Sequence, residues 1–582
     1  MRVLLLHPED SPRRGLWSGQ RWDLVVDLGK SSRFSEQEWE EICRCPILRS
    51  DVLREGVSDA KRVREILAAG EGRLIDEEGI DWWDLNLRFV PEMLALLTLQ
   101  RVAGEISTQA ELWSTRAGWQ AGVLQMLCNR PVRIFGSGRI ARTAAQAGHY
   151  AGVVRRFSSA QIKEIFLDKY DSSYRWRSRF ASRPQPSTQP VVLLPSAYVN
   201  VSRMAAAYAR LLPEQPFLLI AARHSARQFD PPRNVQVRDL AAYATPEFPE
   251  REAESLVAGW AKLRADLQSW KELRVLTQAG MLQAFPGWLR DGLGIRNAWR
   301  EVLKREPVSG VLCGDDSNMT TRIPVVLAVK KEIPTADFHH GAFDGRYLLK
   351  KLASDIYLTK SEMERDYLVR TCGLPAERLV LASPTPAAGC APAVPRKQEA
   401  AAAIFFSEPY ELAEMRAEEV YREILPPLAR FAQEHGRSLI LKLHPFESRS
   451  QRAAIVHEAL TADLAKSVTV VEGPLTAELI SRAWFGVTVE STAVVDCLDH
   501  GVTCFLCAWL KHSPYGYLEQ YARFGVGEIL SEASDLGEIP ARLARLSHES
   551  QRARLPQTAN PAELKQWLTS KSHELRGVRS AS

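Results

Sequence analysis

The sequence predicts an α/β protein built on parallel sheets, and three observations predict it. Short apolar runs such as Val191 to Leu194, Phe217 to Ile220 and Val308 to Cys313 recur along the chain and alternate with segments of helical periodicity. Each run is almost continuously apolar, which is how a strand reads when both of its faces are covered. The runs end in polar or glycine-bearing turns, so the chemistry-bearing residues gather at the carboxyl ends of strands. A proline- and alanine-rich stretch beginning at Ser383, SPTPAAGCAPAVPRKQEAAAA, interrupts the alternation, which restarts beyond it. Two Rossmann-like domains facing a cleft are therefore expected: residues 1–385 with helical insertions at about 51–127 and 249–305, residues 386–545, and a helical tail over 546–582.

A chain of 582 residues exceeds one hydrophobic core. With 45% hydrophobic and 25% charged residues it reads as globular rather than disordered. Lys and Arg number 75 against 70 Asp and Glu, a net charge of +5, too small for a dedicated nucleic-acid binder. The nine cysteines lack paired metal-ligand spacing; Cys504 and Cys507 lie in an apolar run and read as core, and a reducing compartment suits them. No metal or cofactor is expected. The start, MRVLLLHPED, has too short an apolar run for a signal peptide, and no run reaches a membrane span, so a cytoplasmic location is expected.

Taken in order, Val3 to Leu6 and Leu24 to Val26 read as strands, the second leading into Gly29-Lys30-Ser31, which lacks the earlier glycine of a phosphate-binding loop. Residues 51 to about 127 read as mostly helical, with Trp82 and Trp83 as packing residues. Val132 to Phe135 is a strand followed by Gly136-Ser137-Gly138. The stretch KYDSSYRWRSRFASRPQPSTQP from Lys169 is basic, aromatic and proline-rich; it reads as a solvated arm, and its Arg175, Trp176, Arg177, Arg179 and Phe180 would also suit peripheral contact with an anionic membrane surface. Beyond 383 the expected elements are strands at 403–406, 439–443, 468–471, 485–489 and 503–506, with helices between them.

Four strand ends carry candidate chemistry. Val308 to Cys313 ends in Gly314-Asp315-Asp316-Ser317-Asn318, and on an extended chain the two carboxylates leave on opposite faces. Asp316 is the favoured general base or nucleophile, since Ser317 and Asn318 can cap the next helix in its place, with Asp315 the alternative. Ile333 to Phe338 ends in His339-His340-Gly341, two imidazoles beside a glycine that permits close approach, followed by Asp344. Ser438 to Glu447, SLILKLHPFE, places Lys442 and His444 on one face of a strand that Pro445 must end, a pairing suited to a phosphate. Phe485 to Val489 ends in Glu490-Ser491-Thr492, a cap and a run of amides that can receive an anion. Asp344 and Glu408 are further candidates for a catalytic carboxylate.

A strand ending in His-Gly, a K-x-H-P strand end and a later Ser-Thr before a helix together resemble the GT-B glycosyltransferases over roughly residues 309–506. The nearest groups are the bacterial capsule and surface-polysaccharide transferases that use cytidine nucleotides: Kdo and sialic acid transferases and teichoic acid glycerophosphotransferases. The resemblance implies that Lys442, His444 and Ser491 or Thr492 hold the donor phosphate, that Asp315 or Asp316 serves the chemistry, and that His340 acts beside it. The doubled Asp and doubled His depart from the pattern and leave open which member of each pair works. It further implies a nucleotide-sugar donor such as CMP-Kdo and a polysaccharide or glycolipid acceptor. A polyol-phosphate transferase with a CDP donor, a sugar-nucleotide epimerase and a non-catalytic nucleotide- or glycan-binding protein are the alternatives. The absence of a D-x-D sequence points to metal-independent chemistry, in which Lys, His and helix dipoles offset the leaving phosphate.

Overall fold

Three parallel sheets form in the computed structural model, and in each the strand order reverses beside its first strand. The residues described are 1–8, 10, 20–29, 33–85, 89–135, 183–245, 247–384, 402–410, 415–444, 447, 449–473, 475–545 and 559–569. The first sheet comprises β1 (Arg2–Leu6), β2 (Leu24–Asp27), β3 (Ile47–Arg49), β4 (Glu111–Ser114) and β5 (Val132–Ile134), in the order β3-β2-β1-β4-β5. The second has β6 (Val191–Ser196), β7 (Phe217–Ala221), β8 (Val235–Asp239), β9 (Val308–Cys313), β10 (Thr335–Asp337), β11 (Ile356–Thr359) and β12 (Leu379–Leu381), ordered β12-β11-β10-β9-β6-β7-β8. The third has β13 (Ala402–Phe406), β14 (Ser438–Lys442), β15 (Val468–Val471), β16 (Ala483–Thr488), β17 (Cys504–Cys507) and β18 (Glu528–Leu530), ordered β15-β14-β13-β16-β17-β18. In such sheets the ligand crevice lies outside the carboxyl ends of the strands where the order reverses. Those ends belong to β1 and β4, β6 and β9, and β13 and β16.

The parallel α/β class is as the sequence predicts, but the sequence shows two sheets where the chain forms three. β3 reads Ile-Leu-Arg and β4 Glu-Leu-Trp-Ser, too short and too polar to stand out as buried strands. β4 also interrupts the stretch expected to be mostly helical. Two compact units result, one of Met1–Asp59, Met93–Ile162 and Ala391–Ala553, the other of Ala60–Glu92, Lys163–Cys390 and Arg554–Ser582.

The first unit holds the first and third sheets. Arg416, just ahead of the helix Ala417–Glu434, reaches the carboxyl ends of β1 and β2: its guanidinium bonds both oxygens of Asp27 at 2.8 Å and the His7 carbonyl at 3.1 Å. Protein thus fills the place beside β1 where a ligand would otherwise approach. The third sheet buries Phe405, Leu439, Leu441, Phe485 and Phe505 against that helix, and Cys504 and Cys507 are buried as expected.

The second unit is built on the seven-stranded sheet. The helices Glu250–Leu267, Lys271–Gln278 and Phe285–Arg305 occupy the expected helical block, and Trp82 and Trp83 pack into it. Trp83 stacks on Trp260 at 6.0 Å and Trp82 meets Trp288 edge-on at 6.0 Å. The last described helix, Pro561–Thr569, returns to this sheet and adds Leu564 and Leu568 to its core. It approaches so closely that a Cβ on Gly310 would collide with the Leu568 carbonyl oxygen.

Candidate active site

The turn after β9 is fixed by close packing. A Cβ on Gly314 would lie 2.6 Å from both the Phe338 ring and Val201, so the residue there must be glycine. Asn318 caps the helix Met319–Lys330 by accepting the Thr320 amide at 3.1 Å, as anticipated. Asp315 accepts the Ser317 amide at 2.9 Å through Oδ1, which also faces the Arg346 guanidinium at 3.5 Å.

Asp316 turns inward, against the expectation that it faces a ligand. Its side chain has no exposed surface: Oδ2 accepts from Arg322 at 2.6 Å, while Oδ1 accepts from Tyr347 at 3.3 Å and pairs with the Lys350 ammonium. Lys350 also holds Asp344 at 2.8 Å and Ser317 at 2.9 Å, Arg322 reaches Asp84 at 2.9 Å, and Tyr347 donates to Asp337. Burial alone raises a carboxyl pKa, yet Lys350 and Arg322 hold Asp316 below its ordinary range, and Lys350 does the same for Asp344. Asp337, fully buried beside the Asp316 charge, is pushed the other way, well above its ordinary range. A carboxylate clamped by two buried cations, as Asp316 is, is a poor proton acceptor. The physical reason lies in partners distant in sequence: Arg322 and Lys350 come from the helix and the turn beyond each strand end, and single-strand alternation does not report them.

The histidine pair lies one strand over, past β10. The Gly341 amide donates to His339 Nδ1 at 3.1 Å, which puts the His339 ring proton on Nε2, and the Lys360 ammonium holds the His339 carbonyl at 2.9 Å. The two rings are 4.4 Å apart. Among the described residues His340 Nδ1 is sealed from solvent and has no hydrogen-bond partner. Burial lowers the pKa of both imidazoles; for His340 the neighbouring Asp315 charge opposes the shift. Both rings are therefore neutral near pH 7. His339 is thus bonded within its own loop, His340 Nδ1 is left without a hydrogen bond, and the Asp315 charge favours the protonated His340 ring.

The third sheet places the remaining candidates. Lys442 ends β14, but its ammonium donates to the Leu443 carbonyl at 2.6 Å and the Gly473 carbonyl at 2.7 Å, and burial lowers its pKa. The lysine therefore ties down its own strand end. The His444 amide donates to Glu447 at 2.8 Å, and Glu447 gathers Ser407 at 2.8 Å, Tyr421 at 3.1 Å and Arg452 at 2.8 Å. Pro445 lies outside the described residues, as do Gly136-Ser137-Gly138, Lys30-Ser31 and the basic arm from 169 to 182.

The turn after β16 does receive an anion, and the anion is internal. Glu408 Oε1 accepts the amides of Val489 at 3.1 Å, Glu490 at 2.7 Å and Ser491 at 3.0 Å, together with the Thr488 hydroxyl at 3.0 Å. Its pKa is raised by burial, against which those donors pull. Glu408, a fallback catalytic candidate in the sequence, is thus the occupant of the amide seat. Glu490 accepts the Ser513 amide at 2.9 Å, and His512 stands 3.5 Å from Glu408 and 3.7 Å from Glu490. Ser491 Oγ accepts the Ala493 amide at 3.3 Å, and Thr492 is exposed. His512 and Glu447 went unread because neither follows a strand directly.

No protein-family model matches the chain, and no curated protein sequence matches it significantly. Solved structures do resemble it. An S. aureus MnaA–UDP structure matches with a TM-score of 0.40 and 10% identity, covering 67% of this chain and 97% of that one. UDP-GlcNAc 2-epimerase from Neisseria meningitidis, bound to UDP-GlcNAc, matches at 0.37 and 13%, covering 68% and 99%. The calicheamicin glycosyltransferase CalG4 matches at 0.37 and 12%, covering 68% and 98%.

Proposed function

We propose that the chain is a transferase of the GT-B type that moves a sugar, or a polyol phosphate, from a cytidine-nucleotide donor to a surface-polysaccharide or glycolipid acceptor, with His340 as its general base. The observation that carries the reading is the uncommitted imidazole of His340 at the carboxyl end of β10, beside Asp315 at the end of the adjacent β9. A buried polar group without a partner is costly, and such groups persist where a ligand or a reaction uses them. A ring held neutral at pH 7 can take the acceptor hydroxyl proton as that oxygen attacks the activated carbon or phosphorus.

On the donor side, the reading gives His444 and the exposed Thr492 the leaving phosphate and gives Lys442 the task of fixing the β14 end, since Glu408 already takes the Ser491 amide. No metal or cofactor enters this scheme. His340→Gln should lower turnover by about two to four powers of ten, the range for loss of a general base, while leaving nucleotide affinity unchanged. Nucleotide affinity is read by thermal shift across CMP, CDP, UDP, GDP and TDP, because a bound nucleotide stabilises by mass action. Stabilisation by UDP or GDP with none by CMP or CDP would exclude the cytidine donor.

A further inference from the structure

The outer face of the helix Val199–Arg210 carries a pocket that the proposed reaction does not use. The inner face of that helix is core: Ala205, Tyr208 and Ala209 are buried on the seven-stranded sheet, and Tyr208 meets the Phe338 ring at 4.9 Å. Arg203, Ala206 and Arg210 recur at spacings of three and four, so they share the other face. With Phe229 and Asp230, from the crossover between β7 and β8, they line a cavity of about 310 Å³. Ala206 is fully buried and too small to fill the space between the arginines, so it forms the floor. Phe229 packs its partly buried ring on the sheet core, while Arg203, Arg210 and Asp230 are exposed. Three charged groups thus line one cavity, yet among the described residues none of their side chains forms a hydrogen bond or an ion pair. Arg227, three residues before Asp230, shows the alternative: it pairs with Asp239 at 3.1 Å.

We propose that this cavity is an acceptor subsite for an acidic glycan, in which Arg203 and Arg210 take carboxylate or phosphate groups, Phe229 takes the apolar face of a sugar ring and Asp230 accepts its hydroxyls. That the glycan is the acceptor rests on the transferase reading; that the cavity binds it does not. Each guanidinium offers a planar fork to an oxyanion and gives up no existing partner to do so. The two arginines leave the helix about 10 Å apart along its axis, seven residues at about 1.5 Å each, which suits an extended ligand bearing more than one anionic group. Asp230 favours a glycan over other polyanions. A carboxylate beside the cations repels a headgroup surface or a phosphate backbone, whereas a sugar supplies it with hydroxyl donors. The volume lies at the small end of the range for ligand sites, roughly 300–1,000 Å³, and fits a short segment of a chain of sugars. The same helix also abuts the reaction side of the sheet, since a Cβ on Gly314, next to Asp315, would lie 2.6 Å from Val201.

The test is calorimetric titration of the full-length chain with an oligogalacturonate, with a neutral maltooligosaccharide and with phosphatidylglycerol vesicles. Saturable binding of the oligogalacturonate, weakening as salt is raised, is expected, with none of the neutral sugar or the vesicles at the same concentration. Arg203→Gln and Arg210→Gln should each weaken it by about fivefold, the upper range for an exposed ion pair. Phe229→Leu, which keeps apolar packing and removes the ring face, and Asp230→Ala should weaken it as well. Unfolding midpoints check that each variant keeps the fold, as the exposure of the three charged residues leads one to expect. Unchanged affinity in both arginine variants would overturn the proposal, and so would tighter binding in Asp230→Ala or equal binding of the vesicles, which would mark a plain anion-attracting surface. In transfer assays the arginine variants should raise KM for a carboxylated acceptor more than for a neutral one. Arginine-dependent binding in a chain that transfers nothing would leave the glycan site standing and remove the transferase reading; transfer with unchanged binding in the arginine variants would do the reverse.

Discussion

Replacing Asp316 with Asn asks whether this residue is chemistry or architecture. Both of its oxygens are bonded inside a cluster with no exposure at Asp316 or Lys350 and 4% at the Arg322 side chain, so the substitution removes a buried charge from two cations at once. Breaking a buried pair costs about 3–5 kcal/mol because the surviving charge stays desolvated. Here each cation keeps a second carboxylate, Asp84 for Arg322 and Asp344 for Lys350, so the lower end, about 3 kcal/mol, applies. Lys350→Met should cost more, about 5 kcal/mol, since it takes the shared ammonium from Asp316 and Asp344 at once and leaves Arg322 as the only ion partner of Asp316 among the described residues. The assay is urea unfolding followed by tryptophan fluorescence, reading the transition of the unit that contains Trp82, Trp83, Trp260 and Trp299. A midpoint well below wild type in Asp316→Asn, with activity falling in proportion to the folded fraction, is expected. A wild-type midpoint with turnover abolished would refute the argument and return Asp316 to the reaction.

Three further outcomes are expected. His339 and His340 have folded-state pKa values below the ordinary 6.5, so as pH falls below about 6.5 the unfolded chain takes up protons that the folded chain does not. Stability should be fully present above that pH and decline by up to about 1.4 kcal/mol per pH unit for each ring; replacing both by Gln should flatten the decline, as read from denaturation midpoints at pH 7.5 and 5.5. Glu408→Ala should leave the amides of Val489, Glu490 and Ser491 without their acceptor, costing about 1–3 kcal/mol, and millimolar phosphate should restore part of the melting temperature in this variant and not in wild type. Gly310→Val should push the Pro561–Thr569 helix off β9, seen as faster proteolytic removal of the C-terminal segment with the remaining chain intact; unchanged proteolysis would mean that the contact is not close.

Strand and helix alternation is legible wherever strands are long and covered on both faces, and β6, β7, β9, β13 and β14 fall where the apolar runs put them. β3, β4 and β18 are three- or four-residue edge or near-edge strands whose pairing comes from neighbours far along the chain, so periodicity does not announce them. At the site, the sequence identifies the strand ends but not what meets them. Nothing local tells Asp315 from Asp316; Arg322 and Lys350 decide between them from the next helix and the next turn. The reach of Lys442 toward the Gly473 carbonyl, and of Glu408 into the amides after β16, likewise joins segments 31 and about 80 residues apart. Local pattern reports where functional side chains begin, and tertiary packing decides which of them remain uncommitted.

The most direct test of the account is the pH dependence of transfer by the wild-type chain and by His340→Gln, with each of CMP-, CDP- and UDP-activated donors supplied to a polysaccharide acceptor. The account predicts transfer from a cytidine-activated donor whose rate falls on acidification as one group protonates, and a His340→Gln variant that binds the nucleotide, stays folded and has lost both the rate and that acidic limb. Transfer in His340→Gln at the wild-type rate, with the same acidic limb, would contradict it.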